Sequence, residues 1–281
     1  MLLVRYCIVL PELKAQNINS SLNNAWFSLL IVSIVLISAA GYLINDYFDV
    51  KADELNKPEK LIVGRYLKRR KVMATQMVIN IAGLVLGWFC AIKSGNAYMF
   101  IFHLSAAVLL WYYSVYFKKQ VFIGNFIVSI LVALVVIVVI AFEYDANINS
   151  KNGMWYYGWC YATFAFLSNL IRELVKDAED IKGDKLIDAN TLPIKFGIGF
   201  TVKTIMLVTT VVTALVAYFS FIEFSKHINI GVSILMSIIC CLPFVLIFIM
   251  VRKADTHIKF KKLSRYLKLV MFGGILSMLL I

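Results

Sequence analysis

The sequence predicts an all-α membrane protein, a polytopic bundle of transmembrane helices. Of its 281 residues, 61% are hydrophobic and 16% are charged. Soluble domains carry about 25% charged residues, and the mean hydropathy of this chain is +0.83. Apolar stretches recur along the whole chain, and a helix needs about 20 such residues to cross a bilayer. We therefore expect one transmembrane domain that covers residues 1–281.

Eight apolar stretches are predicted to be full spans: 25–44, 73–92, 97–117, 121–142, 155–172, 200–222, 229–251 and 264–281. Residues 1–10 are apolar too, but they are too short to cross and lack the features of a signal peptide. We interpret them as the end of a first helix that is incomplete in this chain. The loop 142–154 contains Glu143 and several turn-forming residues, so it is predicted to be an exposed connection.

Lysine and arginine are concentrated on alternate loops. One side of the predicted bundle holds the basic residues of 51–71, 118–119, 172–203 and 252–268. The other side holds only Arg5, Lys14, Lys93, Lys151 and Lys226. The positive-inside rule places the first side in the cytoplasm. This topology explains the net charge of +12, so no nucleic-acid partner is expected.

Glycines and cysteines indicate helix packing rather than chemistry. Gly83 and Gly87 form a G-x-x-x-G pattern, which lets helix backbones approach closely. The five cysteines lie in apolar runs without a C-x-x-C pair, and the three histidines show no ligand spacing. We therefore predict no disulfide framework and no His/Cys metal site.

Two acidic motifs, each at the end of an apolar stretch, are predicted to form one site. The first is the N-D-x-x-D-x-x-x-D pattern of 45–53, and the second is the D-x-x-D-x-x-x-D pattern of 177–184. Steps of three and four residues return to one face of a helix. Carboxylates clustered at a membrane boundary repel one another unless a cation neutralises them. Their oxygens are the hard ligands that Mg²⁺ prefers, which gives seven predicted metal ligands: Asn45, Asp46, Asp49, Asp53, Asp177, Asp180 and Asp184.

Other interpretations of the acidic motifs remain open at this point. Either motif alone is equally well explained as a solvated acidic helix end. A divalent-cation transporter is a remote alternative, but it predicts ionisable residues deep within the helices and repeated halves. The helix interiors here are almost free of charge, so the pair of motifs favours a site that binds Mg²⁺ and a diphosphate.

A diphosphate also needs cations from the protein. Arginine offers a bidentate fork to phosphate oxygens, and lysine offers a mobile point charge. The basic residues beside the motifs are predicted to bind the substrate: Lys51, Lys60, Lys118, Arg172 and Lys176. The run 68–71 is interpreted as a loop that faces anionic lipid head groups.

The two motifs and their flanking segments resemble the UbiA-type superfamily of intramembrane prenyltransferases. The matching flanks are 56–60, Tyr113 to Lys118, 172–176 and 191–193, and the match runs from about residue 20 to the end of the chain. The resemblance implies a nine-helix bundle with a central cavity open to lipid. It implies Mg²⁺ as cofactor, a prenyl diphosphate donor, a lipophilic acceptor within membrane lipid and no protein partner. It also implies catalytic roles for Asp49, Asp177 and Tyr113, with Tyr113 near the reacting carbon.

The segments 40–50 and 169–177 most resemble the geranylgeranylglycerol-phosphate geranylgeranyltransferase-like branch of this superfamily. The expected reaction is therefore transfer of a prenyl group from geranylgeranyl diphosphate to geranylgeranylglycerol phosphate or a related lipid. Prenylation of an aromatic quinone precursor, as in menaquinone synthesis, is the alternative acceptor chemistry.

Overall fold

The computed structural model describes residues 1–56, 58–143, 153–225, 230–254 and 256–280, and these form a helical bundle without strands. A π-helical turn at Val4–Val9 leads into the short helix α1. The nine α-helices of the described residues are α1 (Leu10–Ala15), α2 (Asn24–Asn56), α3 (Arg69–Lys93), α4 (Phe100–Val115), α5 (Ile123–Phe142), α6 (Gly153–Leu186), α7 (Leu192–Ser225), α8 (Ile230–Arg252) and α9 (His257–Leu276).

Each of the eight predicted spans coincides with one of the helices α2 to α9, which confirms the predicted fold class. Five helical stretches of the described residues are long and apolar enough to cross a membrane: Asn24–Leu55, Arg69–Lys93, Ala97–Val115, Ile123–Phe142 and Leu192–Ile222. Helices α6 and α9 each include a charged half, at 172–186 and 259–268. Within α8, the apolar stretch Cys241–Arg252 is shorter.

Helix α6 joins the two halves of the hydrophobic core. Its first half packs Met154 and Tyr161 into a cluster with α5, the start of α2 and the N-terminal segment. Its second half packs Leu174 and Val175 into a cluster with α7, α8 and α9. The segment that carries the second acidic motif is therefore packed against α7, α8 and α9.

The G-x-x-x-G pair mediates close helix packing, as predicted. A Cβ atom at Gly83 would lie 2.8 Å from Ile37 Cγ1 and 3.0 Å from the Ser33 carbonyl oxygen on α2. A Cβ atom at Gly87 would lie 2.3 Å from the His103 ring on α4. Helix α3 therefore holds α2 and α4 side by side, and these two helices form one wall of the central cavity.

The prediction that Glu143 belongs to an exposed loop is wrong. Its carboxylate is buried and pairs with Arg5 at 3.0 Å, and the two side chains are 0% and 1% exposed. The Ser21 amide donates a hydrogen bond of 2.8 Å to the same carboxylate, and the Arg5 guanidinium lies 4.2 Å from the centre of the Phe27 ring. A buried guanidinium needs an opposite charge, so Glu143 is retained inside. Residues 144–152 of the predicted loop lie outside the described part of the chain.

Candidate functional site

A cavity of about 260 Å³ lies between α2, α4, α5 and α6. Its lining residues Ile34 and Asn45 lie eleven positions apart on α2, a length of about 16 Å at 1.5 Å per residue. Most of the wall is apolar, and the polar lining residues include Asn45, Tyr113, Asn169, Arg172, Glu173 and Lys176. Tyr42 also lines the cavity and is 74% exposed, so the cavity reaches the surface of the bundle beside α2.

The first acidic motif lies at the polar end of this cavity, on the last turns of α2. The Asn45 amide donates a hydrogen bond of 2.7 Å to Asp49. Lys118 forms an ion pair with Asp49, and its side chain is 9% exposed. Its ammonium group also donates to the Asn45 amide oxygen at 3.5 Å. Asp46 lies at the edge of this group, where the carboxylates of Asp53 and Asp49 repel its own.

The position of Lys118 depends on Gly124 at the start of α5. A Cβ atom at Gly124 would lie 2.8 Å from the Phe117 carbonyl oxygen and 2.9 Å from the Lys118 Cα atom. Both neighbours are backbone atoms, so a larger residue would displace the 3₁₀ turn Phe117–Lys119. The backbone amide of Asn190 holds the same turn from the other side, with a hydrogen bond of 2.8 Å to the Lys119 carbonyl oxygen.

The second motif lies on the last turns of α6, beyond the apolar part of that helix. Asp177 accepts a hydrogen bond of 2.7 Å from the amide of Asn125 on α5. Burial raises the pKa of Asp177 to about 8, although the Asn125 hydrogen bond opposes the rise. The pKa of Asp184 is raised to about 7, mainly by burial and to a smaller extent by repulsion from the Asp180 and Asp49 carboxylates. The segment is therefore rich in carboxylates whose charge needs compensation.

A group of three charged residues lies between the motif and the cavity. Glu173 is 5% exposed. Its carboxylate pairs with Arg172 at 2.6 Å and with Lys176 at 3.3 Å. All three residues line the cavity, so two positive charges and one negative charge face its polar end.

The two motifs lie at the same end of the bundle and face each other. The Asp184 carboxylate on α6 is within electrostatic reach of Asp49 on α2. Tyr113 on α4 lies between the motifs, within electrostatic reach of Glu173 and of carboxylates from both motifs, which are Asp177, Asp49 and Asp184. The two acidic motifs, which lie on separate helices far apart in the sequence, are thus brought together in the structure.

The donor atoms of the two motifs suit a hard divalent cation. They are carboxylate and amide oxygens, and the repulsion among Asp49, Asp180 and Asp184 favours a positive ion. Among the described residues, no three His, Cys, Asp or Glu side chains already converge as a metal site. Mg²⁺ usually takes one or two carboxylates and completes its shell with water and phosphate oxygens, so the carboxylates of the two motifs supply enough protein ligands for it.

Not every predicted substrate-binding residue lies at the cavity. Lys118, Arg172 and Lys176 do, since they contact Asn45, Asp49 or Glu173. Lys51 is exposed on α2 and does not line the cavity. The side chain of Lys60 lies outside the described residues.

Sequence reasoning gave no site role to Asn125, Thr191 or Glu173. Thr191 is buried, and its hydroxyl lies close enough to Asp184 to oppose the rise in the pKa of that carboxyl. Asn125 is a single amide near the start of an apolar run, a weak signal that two neighbouring features strengthen: Gly124 and the basic pair 118–119. Glu173 carried a clearer signal, because it shares a helix face with Asn169 and Asp177 at steps of four.

Sequence comparisons give this arrangement a family context. The profile of the UbiA prenyltransferase family matches residues 14–272. A digeranylgeranylglyceryl phosphate synthase of Sulfurisphaera tokodaii is 32% identical over 194 residues, which are 68% of this chain and 66% of that protein. A digeranylgeranylglyceryl phosphate synthase of Pyrococcus abyssi is 30% identical over 259 residues, which are 90% of this chain and 83% of that protein.

Solved structures share the fold. The solved structure of a digeranylgeranylglyceryl phosphate synthase matches this chain with a TM-score of 0.65 and 26% identity, and the match covers 98% of this chain and 93% of that chain. A UbiA homologue from Archaeoglobus fulgidus, bound to GPP and Mg²⁺, has a TM-score of 0.59 and 17% identity, with 92% and 89% covered. At that identity the second likeness concerns the helical architecture alone.

Proposed function

The chain belongs to the UbiA prenyltransferase family, and from that membership we propose that it is a multi-pass membrane enzyme that transfers a prenyl group from a prenyl diphosphate to a lipid acceptor. The proposed donor is geranylgeranyl diphosphate, and the proposed acceptor is geranylgeranylglycerol phosphate or a related lipid. The transfer depends on Mg²⁺. The names of the relatives from Sulfurisphaera tokodaii and Pyrococcus abyssi support this acceptor class.

One observation carries the proposal: two acidic motifs and three basic side chains converge at the polar end of an apolar cavity. A prenyl diphosphate has the matching shape, with an anionic head and a long apolar tail. The tail fits the apolar wall, which extends for about 16 Å along α2. The head fits the end where Lys118, Arg172 and Lys176 lie.

Ionisation of the donor leaves negative charge on the diphosphate and positive charge on the allylic carbon. Lys118, Arg172 and Lys176 donate hydrogen bonds to the departing diphosphate, and such donors act where the charge develops. The proposed ligands of Mg²⁺ are Asn45, Asp46, Asp49 and Asp53 on α2, with Asp177, Asp180 and Asp184 on α6. When bound, Mg²⁺ supplies further stabilisation of the leaving group.

The allylic cation needs protection after the leaving group departs. Tyr113 lines the cavity between the two motifs, and an aromatic face attracts a cation without bonding to it. Apolar side chains of α2 and α5, such as Ile37 and Val135, form the adjoining wall. They keep water away, since water would convert the cation to a prenyl alcohol.

We place the polar end of the cavity on the cytoplasmic side of the cell membrane. The basic clusters at that end are 68–71, where α3 begins, and 259–268, in the first half of α9, and positive charge favours the cytoplasmic side. A single cysteine introduced for Arg70, which is exposed on α3, tests the orientation. A membrane-impermeant thiol reagent should label this cysteine in inverted vesicles but leave it unlabelled in intact cells, and the opposite pattern refutes the assignment.

Product analysis tests the proposed reaction. Purified protein in detergent, with Mg²⁺ and radiolabelled geranylgeranyl diphosphate, is offered geranylgeranylglycerol phosphate and an aromatic quinone precursor in separate assays. Mass spectrometry should find a diether with the first acceptor and no product with the second. A prenylated ring in place of the diether would reverse the choice of acceptor, and no product from any acceptor would refute the prenyltransferase assignment.

A further inference from the structure

We propose that Glu173 is a catalytic residue: it accepts the proton that the acceptor hydroxyl loses when the ether bond forms. This inference rests on the proposed function, because only a hydroxyl-bearing acceptor loses that proton. The buried carboxylate of Glu173 faces the cavity between Arg172 and Lys176. None of the steps of donor ionisation uses it.

The chemistry requires a proton acceptor inside the cavity. The C1–O bond of the donor breaks, and its electron pair leaves with the diphosphate. A lone pair of the acceptor oxygen then forms the new C–O bond to C1, and the O–H bond breaks with its pair kept on oxygen. The proton passes to a Glu173 oxygen and later returns to solvent. Once the acceptor oxygen has bonded to the allylic carbon, it carries a positive charge and its O–H group is a strong acid. A carboxylate is therefore a strong enough base to accept this proton.

The composition of the cavity wall selects Glu173 for this step. Among the described residues that line the cavity, Glu173 is the one carboxylate. The phenol of Tyr113 still holds its own proton. His103 also lines the cavity, but it precedes Tyr113 by ten residues on α4, which places it about 15 Å away along the helix. That distance separates it from the polar end where the head of the donor fits.

The neighbours of Glu173 suit it to the task. Glu173 is 5% exposed, and the two cations Arg172 and Lys176 lie against its carboxylate and compensate its negative charge. A carboxylate offers about four acceptor sites on its two oxygens. Arg172 occupies one of these sites and Lys176 another, so acceptor sites remain for a substrate hydroxyl. Such a site matters because a general base must lie within hydrogen-bond reach of the substrate proton that it accepts.

The variant Glu173→Gln separates proton transfer from charge positioning. Arg172 and Lys176 donate to different oxygens of Glu173, so the amide oxygen of glutamine keeps one of these hydrogen bonds, but it takes no proton. We expect ether formation to fall at least about 100-fold, while diphosphate release continues within tenfold of wild type and the prenyl group appears as free alcohol. The control Glu54→Gln, at an exposed position of α2 outside the cavity, should keep the wild-type ratio of ether to alcohol.

Two results would overturn the assignment. Ether formation near the wild-type rate in Glu173→Gln shows that no proton passes to this side chain. A parallel loss of ether and diphosphate release shows that Glu173 only holds Arg172 and Lys176 in place. If wild-type protein forms no ether at all, the proposed function fails, and this inference fails with it.

A second pair of variants keeps the test valid if Glu173→Gln does not fold. Glu173→Asp keeps a carboxylate on a shorter side chain. Glu173→Asn has the same shape as the aspartate variant but carries no carboxylate. The aspartate variant should retain most of the wild-type ratio of ether to alcohol, and the asparagine variant should lose it. Equal ratios in the two variants would contradict a role in proton transfer.

Discussion

The amide of Asn125 on α5 donates a hydrogen bond of 2.7 Å to the half-buried carboxylate of Asp177 on α6. This bond fixes one carboxylate of the proposed metal site and opposes its protonation. Partners of this kind orient the ligands of a metal, and their loss typically costs about 10- to 100-fold in affinity or activity. The relationship between Asn125 and Asp177 therefore leads to a direct test.

We predict that Asn125→Leu lowers turnover and raises the Mg²⁺ concentration needed for half-maximal activity. Leucine has a similar volume, so the packing of α5 against α6 is retained while the hydrogen bond is lost. A titration of activity against Mg²⁺ measures the effect. Ser105→Ala on α4 serves as control, because its hydroxyl bonds only within its own helix. An unchanged Mg²⁺ dependence in Asn125→Leu would show that the hydrogen bond from Asn125 does not position a ligand of the metal.

Substitution of the central carboxylates is the most direct test of the metal site. Asp49→Ala and Asp177→Ala should each abolish Mg²⁺-dependent turnover and leave the protein folded, because each removes a proposed oxygen ligand. Diphosphate release from a prenyl donor measures turnover, and thermal unfolding in detergent checks the fold. Full activity in either variant would refute the metal role of that residue.

Removal of the metal should have the same result without any substitution. Purified protein treated with EDTA should release no diphosphate from a prenyl donor, since the leaving group loses its main electrostatic stabilisation. Addition of excess Mg²⁺ should restore the release. Release that continues unchanged in EDTA contradicts a Mg²⁺-dependent ionisation.

Gly124 offers a test of how backbone packing places Lys118. A Cβ atom at Gly124 would lie 2.8 Å and 2.9 Å from backbone atoms of the turn that carries Lys118. We expect Gly124→Ala to move this turn, weaken the ion pair of Lys118 with Asp49 and lower turnover by about 100-fold, as for the loss of one preorganised donor. Steady-state kinetics with the prenyl donor measure this loss.

The matched control for Gly124→Ala is Gly273→Ala on α9, where a Cβ atom meets no heavy atom within 4 Å. The control should keep wild-type activity. If both alanine variants behave alike, the close approach at Gly124 does not position Lys118.

The buried pair of Arg5 and Glu143 supports a prediction about stability. Arg5→Met leaves the Glu143 carboxylate buried without its countercharge, and loss of one partner of a buried pair costs about 3–5 kcal/mol. Thermal unfolding should therefore occur at a lower temperature. The double variant Arg5→Met/Glu143→Leu removes both charges and should recover most of the loss. A double variant no more stable than Arg5→Met would show that the destabilisation comes from packing.

The sequence predicted the helices well because hydrophobic composition over about 20 residues is a strong signal. It also predicted that Asp49, Lys118 and Asp177 belong to one site, and the structure brings their helices together. That grouping followed from motif spacing and from the resemblance to a known superfamily. The grouping did not require any knowledge of side-chain contacts.

Side-chain partners were harder to predict, because they depend on which helix faces meet. Glu143 was assigned to an exposed loop from its polar neighbours, whereas the burial of Arg5 on a distant segment keeps it inside. Asn125 looked like an isolated polar residue until α5 was placed against α6. Lys51 was grouped with the site by its place beside the first motif; it is exposed on α2, and its role in substrate binding stays a prediction.

The surface opening beside Tyr42 has a consequence for how this protein meets its reactants. A molecule with two isoprenoid chains is almost insoluble in water, and departure into solvent would expose both chains. A lateral opening within the hydrocarbon layer lets product and fresh substrate exchange by lateral diffusion in the bilayer. Catalytic throughput is therefore tied to the fluidity and composition of the surrounding lipid, and a rigid, gel-phase bilayer should slow the enzyme even when its chemistry is intact.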